Sequence, residues 1–107
     1  MTDCRPEIPR PVQRLAAGGC RVAAISRATA RRACLIVEVA AGSHDEPAAW
    51  PGLAHFLEHL LFLGGESFAG DQRLMPFVQA CGGRVNASTG ARLTEYHCEV
   101  PAEHLEE

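Results

Sequence analysis

No cluster of basic residues runs through this chain. Its ten arginine and lysine residues are outnumbered by 13 acidic ones, for a net charge of −3. Binding to phosphates needs several cations gathered together, so nucleic acid is excluded as the main partner. Arg27, Arg31 and Arg32 come nearest to a cluster, and they read as a solvated turn. No apolar run approaches the roughly 20 residues that a membrane-spanning helix needs, so no membrane partner is expected. The N-terminus lacks a basic start followed by an apolar stretch, so no secretory signal is read there. Cys-x-x-Cys pairs are absent, and the five cysteines make an odd number. That argues against both a disulfide framework and a cysteine zinc cluster. Cys34 and Cys98 lie in apolar runs and read as small core residues. Reduced cysteines without an export signal point to the cytoplasm. There are no internal repeats and no low-complexity segments.

What is present fits one small domain of 107 residues, 47% apolar and 21% charged, in the ordinary range for a globular protein. Residues 1–11 carry Pro6, Pro9 and Pro11 with no apolar periodicity and read as a flexible tail; residues 12–107 form the domain. Residues 12–15 and 20–26 are strand-like, and Gly18-Gly19 between them supplies the positive φ of a hairpin turn. Residues 33–41 are almost continuously apolar, broken only by Glu38, which predicts a central strand covered on both faces. A polar loop over 42–51 leads to a helix over 52–63, closed by Gly64-Gly65. A second helix, with Asp71 as its N-cap, runs to about Cys81, and Pro76 inside it should cost a hydrogen bond or a kink. Strands over 84–89 and 93–100 flank a turn at Gly90-Ala91-Arg92, and Pro101 opens a further helix. The expected fold is α+β: a mixed or antiparallel sheet with helices packed on it. The chain stops one turn into that last helix, which predicts that it is part of a longer polypeptide.

The first helix carries the chemistry. At about 100° per residue, His55, Glu58, His59 and Phe62 share one arc, while Leu53, Phe56, Leu57, Leu60 and Leu61 fill the other side. The wheel therefore predicts a core face of leucines and a polar face of two imidazoles and a carboxylate. Residues four apart stack on a helix, so both imidazoles reach one zinc ion. Glu58 then stands beside them as a general base for hydrolysis. The competing reading is a surface helix with two solvated histidines. His44, His97 and His104 read as structural or solvent-facing, and alternation puts Tyr96, Cys98 and Val100 on the core side of His97's strand.

The runs Gly42-Ser43-His44-Asp45-Glu46, Gly52-Leu53-Ala54-His55-Phe56-Leu57-Glu58-His59 and Gly82-Gly83-Arg84-Val85-Asn86-Ala87-Ser88-Thr89 resemble the pitrilysin and insulin-degrading enzyme family of inverzincin metallopeptidases. The resemblance covers about residues 15–107. Within the family, Arg73-Leu74-Met75-Pro76-Phe77-Val78-Gln79 and the loop at 41–47 look most like the branch acting in pyrroloquinoline quinone biosynthesis. The resemblance implies a zinc endopeptidase with His55 and His59 as metal ligands and Glu58 as general base. It implies that the strand of Asn86, Ala87, Ser88 and Thr89 is a sheet edge along which peptide substrate lies. It also implies a third ligand, a glutamate on a later helix, beyond the 48 residues that follow His59. Glu95, Glu99 or Glu103 would replace it only by accident, so this chain alone is expected to be inactive. Further homologous domains or a partner subunit are implied as well. Two other readings stay open: a non-catalytic scaffold subunit of the same fold, and a small autonomous metal-binding module.

Overall fold

Two glycines in succession set the first element. In the computed structural model, which describes residues 12–67, 69–70 and 73–106, Gly18 and Gly19 have φ of +56° and +79°. Positive φ at both central positions is the requirement of the two-residue primed turn, which matches the right-handed twist of its strands. It joins β1 (Gln13–Ala17) to β2 (Cys20–Ala24) as an antiparallel pair, with Ala17 opposite Cys20 and Gln13 opposite Ala24. The hairpin belongs to one compact unit of the chain, and residues from Arg31 onward form the other.

The second unit is built on an antiparallel sheet of β3 (Arg32–Val39), β4 (Arg84–Thr89) and β5 (Thr94–Pro101), in the order β3-β5-β4. Its register decides which residues share a face. Leu35 lies opposite Cys98, and Cys98 opposite Val85; Val37 lies opposite Tyr96, and Tyr96 opposite Ala87. That face turns toward the helices, as alternation along β5 predicts. Arg32, Arg84, Asn86, Glu95, His97 and Glu99 fall on the other face. There Arg32 pairs with Glu99 instead of lying in a solvated turn, and the guanidinium holds the Glu99 carboxyl below its usual range.

Among the described residues, the strand over 32–39 is not central. It is an edge of this sheet, with β5 in the middle. Leu35 is 61% exposed and Ile36 53% exposed. A continuous apolar run reports that both faces of a strand seek cover, but not whether the cover lies within the same 107 residues. Cys34 is likewise exposed, with its sulfur 3.1 Å from Nε2 of His97, whereas Cys98 is half-buried and burial raises its thiol pKa.

Two helices complete the unit: α1 (Leu53–Phe62) and α2 (Leu74–Ala80). Pro76 sits in the first turn of α2, where an N–H would have no helical partner anyway, so it costs no hydrogen bond. The first helical bond runs from the Phe77 N–H to the Arg73 carbonyl at 3.0 Å. Asp71 and residues 1–11 lie outside the described residues, so the expected N-cap and tail do as well. After Pro101 the chain makes a short 3-10 turn over Ala102–His104. Among the described residues, Val78 on α2 is the only buried apolar side chain, 2% exposed. Leu61, Leu74, Phe77, Val100 and Leu105 instead border an open apolar cavity of about 730 Å³.

Candidate metal centre

α1 begins at Gly52, whose φ of +88° is left-handed and which has no side chain to cap the helix. The capping group comes from the preceding loop. The Gly52 and Ala54 N–H groups donate to the two carboxylate oxygens of Glu46, each at 2.9 Å. An anion at this position also suits the positive end of the helix dipole. Sequence reasoning passed over Glu46, because caps are sought at the residue adjoining a helix and this one lies six residues upstream of Gly52.

One turn further on, His55 and His59 face each other. Their Nε2 atoms are 2.9 Å apart and their ring centroids 4.7 Å apart. Two zinc–nitrogen bonds of about 2.0–2.1 Å at a tetrahedral angle would set such nitrogens roughly 3.3 Å apart. The pair therefore fits a divalent ion with little adjustment. Ligand atoms of His55, Glu58 and His59 all lie within 4.8 Å of one another.

Glu58 differs from the two histidines in being buried, at 8% exposure. The Thr89 hydroxyl at the end of β4 donates to its Oε2. The strand thus fixes the carboxylate, while both imidazoles remain open to solvent. Next to the site, Tyr96 packs against Phe62 with ring centroids 6.3 Å apart. Burial, and then the Glu58 charge, raise the Tyr96 pKa.

The helical wheel erred about which side of α1 meets the sheet. Glu58 is the buried residue of this helix, whereas Phe56, Leu57 and Leu61 are each more than half exposed. The side bearing Glu58 and Phe62 meets β4 and β5 through Thr89 and Tyr96, and among the described residues most of the leucine side stays exposed.

A cavity of about 370 Å³ opens at the site, bordered by Ser43, Glu46, Gly52, His55, Glu58 and residues 87–89. Ala87, Ser88 and Thr89 therefore reach it. Asn86 does not: it lies opposite His97, and its side-chain oxygen accepts the Ala87 N–H at 2.9 Å. Within the described sheet β4 pairs only with β5, so its other edge is open beside the cavity. Glu95 and Glu99 lie on the opposite face of the sheet, and neither they nor Glu103 join the His55–Glu58–His59 group.

A helix bearing His-x-x-Glu-His against a sheet edge is the arrangement of an inverted-motif peptidase domain. Residues 21–107 match the family described as insulinase, peptidase family M16, and the chain belongs to that family. It is 66% identical over 76 residues to coenzyme PQQ synthesis protein F of Pseudomonas aeruginosa, covering 71% of this chain and 10% of that protein. It is 37% identical over 90 residues to insulin-degrading enzyme of Mus musculus, covering 84% of this chain and 9% of that one. The crystal structure of pitrilysin superposes with a TM-score of 0.83 at 30% identity, over 91% of this chain and 10% of pitrilysin. The chain thus spans about a tenth of the length of these relatives.

Proposed function

We propose that this chain is the metal-binding N-terminal part of a zinc endopeptidase that processes the peptide precursor in pyrroloquinoline quinone biosynthesis. The observation that carries the reading is the juxtaposition of His55 and His59 with a buried, strand-anchored Glu58 at an open sheet edge. Family membership supports peptide hydrolysis, and the identity to synthesis protein F supports the pathway.

In this reading His55 and His59 hold zinc. When bound, the ion supplies Lewis-acid polarisation of the scissile carbonyl and acidifies water. Glu58 accepts the proton of the attacking water and delivers it to the leaving amine. The Thr89 hydroxyl engages one of its oxygens, and the other is the one that would take the proton. The open edge of β4 at residues 87–89 receives extended peptide through backbone hydrogen bonds, with the Ala87 N–H exchanging the Asn86 side-chain oxygen for a peptide carbonyl.

Catalytic zinc sites use three protein ligands and keep one position open. With two histidines, this chain alone binds zinc weakly and cleaves nothing. The third ligand comes from further polypeptide, which also covers the leucine side of α1 and the outer edge of β3. A cytoplasmic setting is in keeping with the proposed biosynthetic role. The scaffold reading is disfavoured because all three groups of the motif are present and converge.

In the full-length protein, Glu58→Gln should retain zinc and lose cleavage by about 100-fold or more, because an amide cannot take the proton. His55→Ala and His59→Ala should lose both. Metal analysis beside a fluorogenic peptide assay is the measurement. Wild-type cleavage by Glu58→Gln would sink the proposed role of Glu58.

A further inference from the structure

We propose that Glu46 is a positioning residue for the metal helix, fixing the first turn of α1 and through it the setting of His55. The inference rests on the reading of His55 and His59 as zinc ligands. The first four N–H groups of a helix lack partners within it. At α1, Gly52 offers no side chain to meet them. Glu46 meets two, one with each oxygen, and the second donor, Ala54, immediately precedes His55. Both oxygens being engaged, Glu46 acts here as an anchor and not as an acid or base.

An anchor must itself be held, and the loop of Glu46 is. The Ser43 and His44 N–H groups donate to the carbonyls of Gly90 and Ala91 at 3.0 and 2.8 Å. The Gly42 N–H donates to the Asp45 carboxylate at 2.8 Å. A Cβ at Gly42 would stand 2.3 Å from the Gly90 oxygen, so only glycine allows the loop to sit this close to the turn between β4 and β5. One end of β4 therefore sets two parts of the centre. Thr89 holds Glu58 directly, and the adjoining turn holds His55 through the loop and Glu46. Glu46, His55, Glu58 and Thr89 all border the same cavity. The geometry couples the edge offered to substrate with the spacing of the metal ligands.

The test uses the full-length protein and its Glu46→Gln, Glu46→Ala and His55→Ala variants. Zinc affinity is read by competition with a chromophoric chelator, ligand geometry by the visible spectrum of the cobalt-substituted protein, and folding by far-ultraviolet circular dichroism. Glu46→Gln keeps the shape but turns an amide N–H₂ toward a helix N–H. We expect about tenfold weaker zinc binding, a shifted cobalt spectrum at saturating metal, and a lower kcat with KM unchanged. Glu46→Ala should go further in the same direction. Folded Glu46→Gln with wild-type zinc affinity and a wild-type cobalt spectrum would overturn the inference. Zinc affinity should collapse in His55→Ala. If it does not, the metal-site reading itself falls, a failure distinct from that of Glu46 alone.

Discussion

At the scale of single residues, the centre depends on contacts between groups far apart in the chain. The Thr89 hydroxyl spans 31 positions to reach Glu58. Replacing it by a methyl group leaves a buried carboxylate oxygen without its donor, at a cost of about 1–3 kcal/mol. Thr89→Val in the full-length protein should therefore keep its zinc and KM while kcat falls about tenfold, and Thr89→Ser should restore most of the rate. Steady-state kinetics with metal analysis checks this; an unchanged kcat would show that Glu58 needs no support from the strand. The motif at His55, Glu58 and His59 was legible from sequence because helical spacing alone brings those side chains to one arc. Glu46 and Thr89 were less so. Their contacts with α1 depend on the path of a loop and on strand packing, and neither has a local periodicity to announce it.

At the scale of elements, legibility followed how local the cause was. Gly18-Gly19 identified the hairpin because positive φ is a property of those two residues, and the glycine-rich ends of the helices were read for the same reason. The N-cap expected at Asp71 would put Pro76 deeper in its helix than it lies. The helix starts at Leu74, so the proline falls where no helical hydrogen bond exists to be lost. The two apolar elements, β3 and the leucine side of α1, carry the pattern of covered surfaces, and among the described residues both are largely exposed. Hydrophobicity marks a surface that seeks a partner without saying where the partner lies. The docking of loop to turn is the element-scale feature most open to test. Gly42→Ala drives a methyl group into the Gly90 carbonyl and should destabilise the second unit by about 1–3 kcal/mol through backbone displacement. Thermal unfolding of the full-length protein should register the loss, and an undiminished Tm would mean that the loop does not sit against the turn.

For the whole molecule, one buried apolar side chain among the described residues stands against a long row of exposed ones. The unit is held mainly by its ladder of backbone hydrogen bonds and by the contacts of α1 and α2 with β4 and β5. The stretch it shares with the relatives named above is about a tenth of their length. As proposed, the third metal ligand and the cover for these apolar surfaces come from further polypeptide. The proposed function requires His55 and His59 to bind zinc directly. X-ray absorption spectroscopy of the zinc-loaded full-length protein tests that claim most closely. Two imidazole nitrogens at about 2.0–2.1 Å with oxygen completing the shell are expected, and the imidazole scattering should be lost when His55 and His59 are both changed to alanine. Sulfur at about 2.3 Å, or an imidazole signal that survives the double substitution, would contradict it.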